Sequence, residues 1–288
     1  MSEYTLIRGD CLKVFPTIPS ESIDLMVTDP PFGVSFQSNF KKQKFNKILN
    51  DDNLDWYEGF IKESYRVLKN NTHTYIFTRW DVYPQQYEVI KKYFNIKNLL
   101  VIKKRQSLGD LKGSFMPNFG LIIFCQKGRR TFNTGIRRVS QTTLKDSRYK
   151  GDGYLKRYPA LLDFLVMNEF NLKLVHPTQK ALDTIEFLVK ISSDKGDVVF
   201  DPFLGSGTTM HASKNLERSC IGIEINQEYC DIVAKRCGVK IQGSVTERAR
   251  ELLDKSVGSL KGKPKMVSKD ETWKDFHSSC QTVKRDDS

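Results

Sequence analysis

No Cys-x-x-Cys pair occurs in this 288-residue sequence, and the six cysteines, Cys11, Cys125, Cys220, Cys230, Cys237 and Cys280, are scattered. The four histidines, His73, His176, His211 and His277, form no ligand pattern with them. Zinc spacing and a disulfide framework are both missing, so the chain is expected to hold no metal and to work in a reducing compartment. Also missing is any apolar run long enough to cross a bilayer, and Met1-Ser2-Glu3-Tyr4 lacks signal-peptide character. These absences predict a cytoplasmic chain with no membrane partner. No internal repeat is found. Acidic residues are in short supply: 34 Asp and Glu stand against 46 Lys and Arg, a formal net charge of +12. A basic chain of this size commonly meets a polyanion, and nucleic acid is the commonest. Charge alone fits a solvated basic surface equally well.

What is present is an alternation of strand-like and helix-like segments. Tyr4–Ile7 and Ile23–Thr28 read as short apolar strands. The second stops at Asp29-Pro30-Pro31-Phe32, because two prolines cannot continue a central strand. Trp56, Phe60, Ile61, Tyr65 and Leu68 recur at helical spacing, and Lys69-Asn70-Asn71 closes that helix. Thr74–Thr78, Asn98–Lys103 and Gly120–Cys125 read as strands, and Tyr83–Phe94 as a helix. Ala181–Ile191 is predicted helical, Val198–Phe200 a strand, Thr208–Asn215 the start of a helix, Cys220–Ile225 a strand and Gln227–Arg236 a helix. The alternation predicts an α/β fold with a mainly parallel sheet. Two stretches break the pattern. Phe36–Lys47 is polar and basic and reads as a loop carrying Lys41, Lys42 and Lys44. Lys127–Arg157 is weakly periodic and holds Arg129, Arg130, Arg137, Arg138 and Arg148.

The strongest local signal runs from Val199 to Thr209: a strand, then Asp201-Pro202-Phe203-Leu204-Gly205-Ser206-Gly207-Thr208, then a helix. That arrangement brings backbone N–H groups and a helix N-terminus close to a ligand. Some twenty residues on, the strand Ile221–Ile225 carries Glu224 near its end, an acid suited to the two hydroxyls of a ribose. The pair reads as a nucleoside-cofactor site. It is not the dinucleotide fingerprint, because the third glycine is missing. The second signal is Asp29-Pro30-Pro31-Phe32. Asp29 offers a carboxylate acceptor, Pro30 a carbonyl without a competing N–H, and Phe32 a ring to stack on a planar base. Read blandly, the same residues make a rigid turn.

Asp29-Pro30-Pro31-Phe32 resembles the catalytic tetrapeptide of the DNA amino-methyltransferases, and the segment Phe200–Thr208 resembles their methionine-binding loop. His176-Pro177-Thr178-Gln179-Lys180 and Arg8-Gly9-Asp10-Cys11 resemble two further segments of one branch. The order, tetrapeptide first and cofactor loop late, is similar to the β class, which includes many restriction–modification enzymes. The resemblance spans roughly residues 4 to 240. Two positions depart from it: Ala181 stands where a proline follows the His-Pro-Thr-Gln-Lys segment, and Asn118-Phe119-Gly120 stands where a glutamate is common.

The resemblance implies a Rossmann-like methyltransferase fold with circularly permuted motif order, S-adenosylmethionine as cofactor and double-stranded DNA as partner. A homodimer and a cognate restriction endonuclease are further partners it brings into view. Asp10 is expected at the cofactor's adenine and Glu224 at its ribose. Asp201, Phe203, Gly205, Ser206, Gly207 and Thr208 are expected around the methionine part, with Thr178, Gln179 and Lys180 helping there. Asp29, Pro30, Pro31 and Phe32 would hold a flipped base, adenine rather than cytosine because an aspartate opens the tetrapeptide. Lys41, Lys42, Lys44, Arg129, Arg130, Arg137, Arg138 and Arg148 are the expected DNA contacts. The corresponding organisation is a first catalytic part at 1–126, a target-recognition insertion at 127–171, a second catalytic part at 172–253 and a charged tail at 254–288.

Overall fold

The computed structural model describes residues 2–33, 53–104, 118–133, 180–243, the short strands at 137–138, 154–155 and 161–167, and residues 251, 253 and 254. Lys41, Lys42, Lys44, Arg148, Thr178, Gln179, the Phe36–Lys47 stretch and most of the tail lie outside the described residues.

Nine strands form one sheet: β1 (Tyr4–Arg8), β2 (Ile23–Thr28), β3 (Leu68–Thr78), β4 (Asn95–Lys104), β5 (Phe119–Lys127), β8 (Leu161–Met167), β9 (Val198–Asp201), β10 (Ser219–Glu224) and β11 (Ile241–Gln242). Their order is β11-β1-β10-β9-β2-β3-β5-β4-β8. Strand β5 runs antiparallel to both of its neighbours, and the other pairings are parallel. The remaining strands, β6 (Arg137–Arg138) and β7 (Tyr154–Leu155), pair only with each other. Strand β8 lies inside the segment expected to be an insertion, yet it extends the main sheet beside β4.

Helices cover both faces, as a mainly parallel sheet requires. The alternation of side chains along each strand sorts them. Met26 of β2 points toward α1 (Cys11–Val14), α2 (Tyr57–Val67) and α3 (Tyr83–Ile90), in a core with Phe15, Phe60 and Phe200. Its neighbours Leu25 and Val27 point the other way, toward α4 (Leu182–Ser192), joining Ile185, Leu188 and Tyr75. Leu6 and Cys220 pack under α5 (Thr208–Asn215) and α6 (Gln227–Cys237). The five described cysteines are buried free thiols that act as small apolar side chains.

The helix α2 ends where Lys69-Asn70-Asn71 was expected to close it, but β3 starts directly at Leu68 rather than at Thr74. Leu68 stands opposite Ile23 and His73 opposite Leu25, so the intervening polar residues bulge out of the ladder. Asn71 takes a left-handed φ of 61°, and Lys69 is held by Asp24 at 2.6 Å.

Chain connections leave β9 toward β10 in one direction and β2 toward β3 in the other. The divide between β9 and β2 is a topological switch point, and ligands of open α/β sheets bind outside the carboxyl ends of the strands there.

Candidate active site

Four acids stand along that edge. Asp10 follows β1, Glu224 ends β10, Asp201 ends β9 and Asp29 follows β2, and these four strands are neighbours in the sheet. With adjacent strands about 4.8 Å apart, the row spans about 15 Å, the reach of an extended nucleoside joined to an amino acid.

The loop between β9 and α5 is anchored at several points. Asp201, only 4% exposed, accepts from Thr28 Oγ1 (2.9 Å), Thr209 Oγ1 (2.7 Å) and the Phe203 N–H (3.1 Å). The Gly205 N–H donates to Glu224 Oε2 and the Asn226 N–H to Glu224 Oε1, each at 2.8 Å. The Leu204 N–H bonds the Ile223 carbonyl at 2.9 Å. Gly207 has a φ of 82°, and a Cβ there would lie 2.9 Å from Val233 of α6. Gly222 matters for a different reason: a Cβ on it would lie 2.4 Å from Leu204, so its bareness lets the loop lie against β10. Phe203 packs edge-on to Phe60 (5.2 Å) and tilted to Trp56 (5.4 Å), which fixes the apolar wall of the loop.

Two residues that sequence reasoning did not single out complete this anchoring. Arg236 on α6 donates from Nη1 to the Ser206 carbonyl (3.1 Å) and Thr208 Oγ1 (3.4 Å), and from Nε to His211 Nδ1 (3.1 Å). Gly222 is the other. A short-range signal for Arg236 does not exist, because its partners lie a full β-α unit away.

Burial sets the electrostatics. It pushes the Glu224 carboxyl up to about 7, against the opposing pull of the Asn226 and Gly205 N–H groups. It pushes Asp201 to about 6, offset by the two threonine hydroxyls and the Phe203 N–H and reinforced by the charge of Asp29. Asp10 is half-buried and accepts from the Leu12 N–H at 3.0 Å, capping α1. The Gly9 N–H donates to the Glu224 carbonyl at 3.0 Å, which ties the Asp10 and Glu224 ends together.

At the other end of the row, Pro30 is buried while Pro31 and Phe32 are half-buried. Gly33 has a φ of 71° and sits against the Asn53 carbonyl, where a Cβ would lie 3.0 Å from it. Asp29 Oδ2 is 2.6 Å from Lys180 Nζ, and Asp29 Oδ1 is buried without a hydrogen-bond partner among the described residues. Lys180 was expected beside the cofactor; the structure places its ammonium on Asp29.

Other expected residues are not brought to this edge. Arg129 and Arg130 follow β5, whose antiparallel course carries them to the opposite edge of the sheet. There the Arg129 N–H bonds Asn71 Oδ1 (2.9 Å), and the Arg130 guanidinium lies 3.6 Å from Asp194. The Arg130 carbonyl accepts from Gln126 and from His73, whose buried ring is depressed to about 4 and is therefore neutral. Arg137 and Arg138 sit in the separate β6–β7 ladder.

A row of acids with glycine-lined backbone fits S-adenosylmethionine by its chemistry. That molecule presents a ribose diol, an adenine amino group, an ammonium and a sulfonium, all donors or cations facing carboxylates.

The fold is that of a Rossmann-like methyltransferase, with Asp10, Glu224, Asp201 and Asp29 at adjacent strand ends. The N6/N4 methyltransferase family described as DNA methylase matches residues 23–235, and the chain belongs to that family. It is an S-adenosylmethionine-dependent DNA amino-methyltransferase of restriction–modification type. The chain is 30% identical over 259 residues to Type II methyltransferase M.HpaI of Haemophilus parainfluenzae, covering 86% of this chain and 79% of that one. It is 30% identical over 262 residues to DNA adenine methyltransferase YhdJ of Escherichia coli, covering 85% and 86%. In fold it is similar to the PvuII cytosine-N4-specific DNA methyltransferase, with a TM-score of 0.61 at 18% identity over 90% of this chain and 94% of that one. The M1.HpyAVI–SAM complex is likewise similar in fold, with a TM-score of 0.59 at 22% identity over 82% and 100%.

Proposed function

We propose that this enzyme methylates the exocyclic N6 of adenine at a specific sequence in duplex DNA. The observation that carries the reading is Asp29 at the carboxyl end of β2, beside the switch point, with one carboxylate oxygen buried and lacking a partner. An aspartate opening the tetrapeptide favours adenine, and the relative YhdJ is named as an adenine methyltransferase.

The target base must leave the stack to reach this edge. Asp29 and the Pro30 carbonyl then accept the two amino hydrogens, and Phe32 stacks on the ring. An exocyclic amine is a poor nucleophile because its lone pair is delocalised into the base. Two acceptors hold the nitrogen in a geometry where the pair is directed out of the ring plane, and the half-buried turn excludes competing water. S-adenosylmethionine supplies the methyl group. Glu224 and Asp10 hold its nucleoside end, and the Asp201–Thr208 loop holds its amino-acid end. The segment at 127–171, with Arg137, Arg138 and Arg148, is proposed to meet the DNA together with Lys41, Lys42 and Lys44. Arginine serves there by clamping phosphates or reading guanine.

The test is transfer of labelled methyl into unmethylated duplex DNA followed by nucleoside analysis, with Asp29→Ala alongside. N6-methyladenine in the wild-type product, its loss in the variant and cofactor affinity kept within about threefold are expected. Methylcytosine would overturn the choice of base, and full activity in the variant would overturn the role of Asp29.

A further inference from the structure

Lys180 stands immediately before the first residues of α4, where the positive end of the helix dipole disfavours a lysine. It also gives up most of its hydration, with the side chain 18% exposed. A residue that violates two local preferences at once is expected to have a compensating role at a functional site. Its contacts show what that role is. The ammonium sits 2.6 Å from Asp29 Oδ2 and 5.0 Å from the centroid of the buried Phe77 ring on β3. Helix α4 is packed rigidly on β2 and β3 through Ile185, Leu188, Leu25, Val27 and Tyr75, so the position of Lys180 at the sheet edge is fixed by the core.

We propose that Lys180 is a positioning residue for methyl transfer: by engaging Asp29 Oδ2 it locks the carboxylate so that Oδ1 is the oxygen left to accept the target amino group. A free carboxylate rotates about its last bond and offers either oxygen. Pinned at Oδ2, it has one acceptor and one orientation, which is what a near-attack geometry needs. The Phe77 ring steadies the ammonium from the β3 side. Asp201 is the other described charged group that acts electrostatically with Asp29, a like charge, and Lys180 is the counter-ion.

The inference rests on Asp29 being the amino acceptor, which wild-type transfer and its loss in Asp29→Ala establish separately. The experiment compares Lys180→Met and Lys180→Arg with wild type in full-length enzyme. Three quantities are measured: kcat on duplex DNA, KM for DNA, and Kd for S-adenosylmethionine by titration. We expect Lys180→Met to lower kcat on the order of 100-fold while the cofactor Kd and the KM for DNA stay within about threefold. Lys180→Arg should recover most of the loss, because its guanidinium can still reach the carboxylate. Retained cofactor binding in Lys180→Met reports that the fold is intact. A cofactor Kd that weakens in step with kcat would overturn the proposal and assign Lys180 to the cofactor instead. A kcat equal to or above wild type would overturn it as well, making the ammonium a mere occupant of the base site.

Discussion

Thr28 donates its hydroxyl to Asp201 across 2.9 Å, joining the last residue of β2 to the last residue of β9. The bond is buried and connects the two halves of the site, the Asp29 turn and the loop between β9 and α5. Thr28→Val keeps the shape and removes the donor, leaving a buried carboxylate with one partner fewer. We expect a loss of about 1–3 kcal/mol in urea unfolding. Thr28→Ser should restore most of it.

The two buried carboxyls give the enzyme a defined pH response. Glu224 is raised from 4.5 to about 7 and Asp201 from 3.8 to about 6. A raised carboxyl binds its proton more tightly folded than unfolded, so the native state carries more protons in that interval. Stability of the ligand-free enzyme should therefore fall as pH climbs from about 4 to about 7, and level off above. Cofactor affinity should move the opposite way, because only ionised Glu224 accepts from both ribose hydroxyls. The expected slope is about tenfold per pH unit below about 7. Glu224→Gln should flatten that slope; a Kd that keeps its pH dependence in the variant would remove Glu224 from the ribose.

Gly207 combines a φ of 82° with Val233 close behind it. Gly207→Ala should cost about 1–2 kcal/mol from the left-handed backbone alone. The added methyl also pushes on α6. The expected result is a lower Tm and a weaker cofactor Kd together, read by thermal unfolding with and without S-adenosylmethionine.

Arg236 supports the loop from behind without lying in the acid row. Arg236→Met removes donors from the Ser206 carbonyl and from His211, so the loop should lose order rather than chemistry. We expect the KM for S-adenosylmethionine to rise about tenfold with kcat on saturated enzyme within about threefold, the signature of lost uniform binding. A selective fall in kcat would contradict this role.

If Arg137 and Arg138 meet phosphates, replacing both with alanine should weaken DNA binding at every sequence and reduce the log–log salt slope by about 1 to 2. Binding isotherms at several salt concentrations read this directly. An unchanged slope would take both out of direct phosphate contact.

The cofactor loop was legible in the sequence because its chemistry is local. Asp201, Gly205 and Gly207 lie within seven residues, and Glu224 falls on the next strand, so strand–turn–helix spacing alone places them together. The Asp29 turn was legible for the same reason, since two prolines end a strand wherever they occur. The contact of Lys180 with Asp29 was not foreseen, because its position depends on how α4 packs across β2 and β3. Periodicity predicts α4 but not its placement. Arg236 and Gly222 were silent for a related reason: each acts on a loop supplied by another β-α unit. Strand β8 escaped notice because its apolar run follows directly on the basic segment and was counted with it in the 127–171 insertion. The start of β3 was placed late because Lys69-Asn70-Asn71 reads as a helix stop, while the fold also uses it as a bulge whose lysine neutralises Asp24.

The first strand to be made, β1, is held between β10 and β11, the last two. On a ribosome adding about 5–20 residues per second, β1 therefore waits roughly 10–50 s before either neighbour has been synthesised. During that time its backbone donors and acceptors have no native partner, whereas β2, α2 and β3 can already associate. The Asp29 side of the site can thus form early, whereas the Glu224 side is closed only once β10 and β11 have been made. A break in the chain near residue 240 would remove β11 and leave one edge of β1 open.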